Sequence, residues 1–147
     1  MEKIVLFASD QWLLITALAA ALWGLVFLEN KRAGISVTPA TLTKMVNSGN
    51  AVVIDLREKP EYDSGHIVDA KSIPYKSLHA DLSKTGADEG AENPMEAYRD
   101  KDVVLVCKMG QHSSQIAKKL AAENFKVYRL GGGLMEWQSA QMPLVKG

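Results

Sequence analysis

The sequence holds a single cysteine, Cys107. One thiol makes no intrachain disulfide and supplies no multi-cysteine zinc or iron–sulfur site. Neither sign of charge is in surplus: 17 Lys and Arg face 17 Asp and Glu, a formal net charge of zero. That balance argues against a nucleic-acid partner, because phosphate contacts need a basic excess. The three histidines, His66, His79 and His112, fall at no metal-ligand spacing, so no metal and no resident cofactor are expected. Neither GxGxxG nor a Walker pattern occurs, so Gly131 to Gly133 reads as a turn before the last helix rather than a phosphate loop. An apolar fraction of 47% with 23% charged residues excludes global disorder. A chain of 147 residues is one domain's worth.

What is present is unevenly spread. Between Asp10 and Glu29 lie 18 residues without charge, Gln11 to Leu28, reading QWLLITALAAALWGLVFL. As a helix rising about 1.5 Å per residue they span roughly 27 Å, close to the ~30 Å of bilayer hydrocarbon. Trp12 stands at one end and Lys31 and Arg32 just beyond the other, as interfacial anchors do. A buried core helix apolar all round belongs to a larger protein. A cleaved signal peptide needs a basic n-region and a small-residue site after the run. Here Lys3 is the only basic side chain upstream, and Ala19 to Ala21 fall inside the run. The reading is a short N-terminal segment at 1–10, one transmembrane helix at 11–28 and a polar linker at 29–34. Lys31, Arg32 and the more distant Lys44 against Lys3 bias the topology to N-terminus out and C-terminal domain cytoplasmic, in the inner membrane. A free cysteine suits that reducing compartment. Ala20 and Gly24, like Ala17 and Ala21, stand four apart, a spacing on which a membrane-protein partner could pack.

Residues 35–147 read as an α/β domain. Thr38 and Pro39 are an N-cap and a first-position proline, opening a helix with Leu42, Met45 and Val46 at helical spacing and Gly49 as its stop. Ala51 to Ile54 and Val103 to Val106 are continuous apolar runs, as strands buried on both faces are. Ser114 to Glu123 reads as a helix, Lys126 to Leu130 as a strand and Leu134 to Ser139 as a final short helix. Strands alternating with helices indicate a mainly parallel sheet. Ser83 to Asp100 is rich in Gly, Asp and Glu and reads as a solvated loop entering a short helix from Pro94, with a lid over the site as the alternative.

Cys107 ends the VVLV strand, and Lys108-Met109-Gly110-Gln111-His112-Ser113 lead into a helix. In an open parallel sheet, ligands bind beyond the carboxyl ends of the strands. A loop there that opens a helix presents backbone N–H groups and a positive dipole end, which favour the reactive thiolate. Lys108 adds positive charge, and so could His112. A lone cysteine more commonly packs as a small apolar residue, but its place at this strand end makes Cys107 the candidate nucleophile. Asp55 and Arg57, with Glu61 four residues on, tie a strand end to the next turn by charge-assisted hydrogen bonds. His66 after Gly65 reads as a packed, hydrogen-bonded loop histidine, and Trp137 as packing against the sheet.

These residues resemble the rhodanese-like domain family. The resemblance rests on Asp55-Leu56-Arg57, Glu61-Tyr62, Gly65-His66-Ile67, Ala70, Ile73-Pro74, Cys107 to His112 (CKMGQH), and Gly132-Gly133 with Trp137. It covers about residues 36 to 144, and with the apolar segment the whole looks like the single-pass, membrane-tethered bacterial rhodaneses of the YibN type. The resemblance implies a five-stranded parallel sheet flanked by helices and sulfur transfer through a Cys107 persulfide. It makes Lys108, Met109, Gly110, Gln111, His112 and Ser113 the loop that surrounds the sulfur and binds substrate. Two positions depart from the family. His112 stands where many members carry Arg, and Met109 where thiosulfate-using members carry a second cation; both changes weaken anion binding. The implied partners are a small sulfur donor such as thiosulfate and a cyanide or thiol acceptor. Two other functions compete. A non-catalytic, membrane-tethered interaction module would not need Cys107. A cysteine phosphatase would need Arg six residues after the nucleophile, where Ser113 stands.

Overall fold

The computed structural model describes residues 11–32, 34–85 and 93–147. The chain divides into two units, one ending at Lys31 and the other Arg32–Gly147. Helix α1, Trp12–Arg32, lies in the first but for its last residue. The second runs β1 Ile35–Val37, α2 Pro39–Asn47, β2 Ala51–Asp55, α3 Lys59–Ser64, β3 Lys71–Ser72 and α4 Tyr75–Thr85. A 3-10 turn at Glu96–Tyr98 follows, then β4 Asp102–Val106, α5 Gln111–Ala122, β5 Val127–Leu130 and α6 Gly133–Ser139.

The two continuous apolar runs become the paired central strands. β2 and β4 lie side by side in parallel, from Ala51 opposite Asp102 to Asp55 opposite Val106. Their side chains alternate between two cores. Val52, Ile54, Val103 and Leu105 pack with Leu78 and Leu82 of α4 and Ile116, Ala117 and Leu120 of α5. Val53, Val104 and Val106 face the other way, against Leu42 of α2 and Leu134 and Trp137 of α6. Burial on both faces is why these strands show no polar alternation. At about 25 cal/mol per Å² of apolar surface, each such valine or leucine contributes on the order of 1.5–3 kcal/mol.

The sheet is parallel throughout, in the order β1-β5-β4-β2-β3. From β2 the chain moves outward to β3, whereas from β4 it moves the opposite way to β5. The carboxyl ends of β2 and β4 therefore flank the switch point at which an open α/β sheet leaves a crevice. Cys107 follows the last residue of β4. The topology alone puts it there.

Several elements differ from the sequence reading. α1 continues through Arg32, so most of the stretch read as a linker is helical, since Glu29, Asn30, Lys31 and Arg32 contain no breaker. Among the residues whose side chains are described, which in α1 end at Leu28, no helix is long and apolar enough to cross a membrane. The span expected over 11–28 is therefore not shown. α5 starts at Gln111 rather than Ser114. Gly110, in the left-handed region at φ 94°, turns the strand end directly into the helix, so no serine cap is needed. Strand β3 is only two residues long and lies in no apolar run, and α3 and α4 were not read from the sequence. Ser83, Lys84 and Thr85 belong to α4, and the short helix expected from Pro94 is the 3-10 turn at Glu96–Tyr98. Residues 86–92, on which the lid alternative rests, lie outside the described residues.

Candidate active site

Cys107 is buried, 3% exposed, and its sulfur sits within the turn that follows it. The backbone N–H of Gly110 donates to Sγ at 3.0 Å, and Ser113 Oγ lies 3.4 Å from the same atom. Ser113 Oγ also donates to the Gly110 carbonyl at 3.0 Å. With its proton on that carbonyl, the hydroxyl can accept from the thiol; when the thiol ionises, the rotor can turn and donate to sulfur. The Gly110 N–H and the Ser113 hydroxyl thus hold the sulfur from two sides. The arrangement tolerates both protonation states.

The loop is held from below by α6. Leu134 N–H donates to the Cys107 carbonyl at 2.8 Å and Met135 N–H to the Lys108 carbonyl at 3.2 Å. These two N–H groups are in the first turn of α6, where a helix has donors to spare. Gly133, at φ 63°, makes the approach possible. A Cβ there would collide with the Cys107 carbonyl oxygen and stand 2.7 Å from that of Lys108. The sequence reading took this glycine only for a turn former. Trans, planar peptides put each N–H opposite its carbonyl, so docking both carbonyls on α6 directs the N–H groups of Lys108 and Met109 away from it. Lys108 and Met109 expose their side chains, while Gly110 is buried.

Gln111, His112 and Ser113 belong to the first turn of α5 rather than to a loop. Ser113 alone of the three is buried. The His112 imidazole stacks on Tyr75, the first residue of α4, with ring centroids 4.2 Å apart and 11° between planes. Tyr75 in turn donates its hydroxyl to Gln115 Oε1 at 2.5 Å and lies 5.3 Å from His79, centroid to centroid. Tyr75 is a neighbour of the site that sequence reasoning missed; the only hint was its place beside the Ile73-Pro74 motif.

The remaining motif residues brace the adjacent strand end. Asp55, 1% exposed, accepts from Arg57 Nε at 3.0 Å and Nη2 at 2.6 Å. Arg57 Nη2 also donates to the Gly65 carbonyl at 2.8 Å. The tie to the next turn is therefore made through this carbonyl, while Glu61, assigned to it from the sequence, is exposed in the first turn of α3. His66 is buried, stacks on Tyr62 at 3.8 Å and donates from Nδ1 to the Tyr62 carbonyl at 2.9 Å. Its backbone exchanges two 2.8 Å hydrogen bonds with Val145. Among the described residues no cluster of three His, Cys, Asp or Glu could hold a metal ion.

The rhodanese-like domain pattern matches residues 38–140. The chain belongs to the rhodanese-like domain family. Uncharacterized protein YibN of Escherichia coli K12 is 28% identical over 112 residues, which are 76% of this chain and 72% of that protein. The tRNA uridine(34) hydroxylase of Cronobacter sakazakii is 31% identical over 99 residues, 67% of this chain but only 27% of the enzyme. The rhodanese fold also recurs in a crystal structure of a rhodanese-related protein from Thermoplasma volcanium. That structure has 25% identity, covers 76% of this chain and 97% of its own, and has a TM-score of 0.59. A thiosulfate sulfurtransferase from Pseudomonas aeruginosa shares the fold at TM-score 0.61 and 20% identity, over 82% of this chain and 22% of that one.

Proposed function

We propose that this protein is a membrane-anchored sulfurtransferase that carries sulfane sulfur on Cys107. The observation that carries the reading is the Cys107 sulfur itself, placed past the end of β4 with the Gly110 N–H at 3.0 Å. The thiolate attacks the outer sulfur of a donor such as thiosulfate; a Sγ–S bond forms, the donor's S–S bond breaks, and sulfite leaves with the bonding pair. The protein then holds Cys107–S–S⁻. Fixed N–H donors stabilise that anion without reorganising, as in an oxyanion hole. Cyanide or a thiolate next attacks the outer sulfur; the Sγ–S bond breaks, Cys107 is released as thiolate, and thiocyanate or a new persulfide departs. Splitting the transfer this way is covalent catalysis. Lys108 supplies charge at the mouth, and Met109, Gln111 and His112 complete the substrate-binding turn.

Mass spectrometry of thiosulfate-treated protein tests this. One added sulfur on Cys107, absent from Cys107→Ser, is the expected result. The serine variant should fold, because its hydroxyl can still accept from Gly110. If the variant transfers sulfur as well as the parent does, the enzyme reading is wrong. If thiosulfate leaves no added sulfur on the parent, the interaction-module reading stands in its place.

The anchor part of the proposal rests on the uncharged segment at 11–28, which from Trp12 on lies in α1 with Leu13, Leu14, Leu18, Trp23 and Leu25 exposed. Exposed apolar surface of that extent is a membrane or partner site rather than a solvated face. The basic residues after it favour a cytoplasmic C-terminal domain.

A further inference from the structure

Beside the Cys107 turn, on the side of β5, lies a cleft of about 490 Å³. Gly110, Gln111, Ser114, Gln115, Lys118 and Arg129 line it, together with Met109 and Gly132. Among the described residues its lining holds two cations, Lys118 and Arg129, and no carboxylate. The parallel register explains why Arg129 is there: Leu105 and Val127 share its face of the sheet and pack against α5, so a side chain from Arg129 must run along that helix. Ser114 and Lys118, four apart on α5, stand on the same side of the helix. The Nε of Arg129 is buried with no hydrogen-bond partner. The guanidinium is a planar fork of five donors, and a carboxylate in the cleft can accept from its exposed part in bidentate fashion. The cleft begins one residue from the chemistry, since Gly110 lines it and donates to Sγ at 3.0 Å. Its volume is in the range of small-molecule sites.

We propose that this cleft is the acceptor subsite, built for a small thiol that carries one or more carboxylates. The inference rests on the sulfurtransferase reading. Arg129 holds the carboxylate, the Gln111, Ser114 and Gln115 side chains hydrogen-bond its polar groups, and the thiol reaches across Gly110 to the persulfide. The acceptor thiolate forms a bond to the outer sulfur, the Sγ–S bond breaks, and Cys107 leaves as thiolate; no oxidant or reductant is consumed. The site discriminates by charge, and a neutral thiol of similar reactivity gains nothing from it.

Two measurements on the full chain test the subsite. In the first, (methylthio)succinate, which cannot accept sulfur, is titrated while backbone amide shifts are followed. Saturable shifts at Gln111, Ser114, Gln115 and Gly132, lost in Arg129→Gln, are expected; shifts elsewhere or none at all overturn the proposal. In the second, persulfide-loaded protein is mixed with mercaptosuccinate or with neutral 2-mercaptoethanol. The ratio of their kcat/KM values should fall about tenfold in Arg129→Gln. It should fall likewise in Gln115→Glu, which adds a repelling charge while keeping the oxygen that accepts from Tyr75. An unaltered ratio in both variants overturns the subsite. Failure to load Cys107 with sulfur defeats the sulfurtransferase reading instead, and the titration still decides whether the cleft binds carboxylates.

Discussion

Replacing Gly133 by alanine separates two reasons why a glycine stands beside the reactive cysteine. Both Gly133 and Gly110 occupy positive φ, 63° and 94°, where a side chain costs about 1–2 kcal/mol. They differ in what a methyl group would meet. At Gly110 the nearest atoms are 3.8 Å away, the backbone nitrogens of Gly132 and Gly133; at Gly133 the methyl meets the carbonyl oxygens of Cys107 and Lys108, the latter at 2.7 Å. Backbone oxygens cannot swing aside as a side chain would, so α6 must back off. Its two hydrogen bonds to the loop, at 2.8 and 3.2 Å, then lengthen or break, at about 0.5–1.5 kcal/mol each. Strain and lost bonds together make Gly133→Ala about 2–5 kcal/mol less stable, against about 1–2 kcal/mol for Gly110→Ala. At a urea m-value of about 1.5 kcal/mol/M, a 3 kcal/mol loss lowers the unfolding midpoint by about 2 M. Equilibrium urea unfolding followed by tryptophan fluorescence measures this, since Trp137 of α6 is buried. At urea concentrations where Gly133→Ala remains folded, sulfur loading of Cys107 should be slower than in the parent, because the carbonyls that set the loop have moved. Equal midpoints for the two variants would refute the argument that the α6 contact, rather than backbone strain, demands Gly133.

The Asp55–Arg57 pair should behave as a buried ion pair: Asp55→Asn leaves Arg57 uncompensated and should cost about 3–5 kcal/mol in the same urea assay, whereas a surface pair such as Lys59–Asp63, with side chains 64% and 45% exposed, should be within ~0.5 kcal/mol of the parent when broken. His112→Arg should lower the Michaelis constant for thiosulfate about tenfold, one charge-assisted hydrogen bond's worth; an unaltered constant means the stack on Tyr75 points this position away from the donor. The topology is read best from an exposed thiol, because Cys107 is buried: Lys101→Cys in a Cys107→Ser background should resist an impermeant maleimide in intact cells and react after permeabilisation. Carbonate washing should leave the protein in the membrane fraction, and its release would remove the anchor.

The central strands were legible because burial on both faces leaves a signature in composition: Ala51 to Ile54 and Val103 to Val106 cannot be read as half-exposed. The helix from Pro39 was legible from its cap, and Thr38 Oγ1 does accept from the Thr41 N–H at 3.3 Å. Cys107 stood out for the same local reason, a lone thiol between an apolar strand and a helix. Other features had no local signal. β3 is two residues held by pairing with β2, and α3 has no buried side chain to impose a period. Spacing placed Glu61 with Asp55 and Arg57 in the tie to the next turn, but the fold brings the Gly65 carbonyl to Arg57. Likewise the stack of Tyr75 on His112, the clash that reserves Gly133 and the meeting of Arg129 with Gly110 in one cleft each join residues far apart in the chain. Periodicity and propensity report which face of a segment is buried. Which segments then meet is decided by strand order and helix packing, and the cleft and the sulfur cradle exist only at that level.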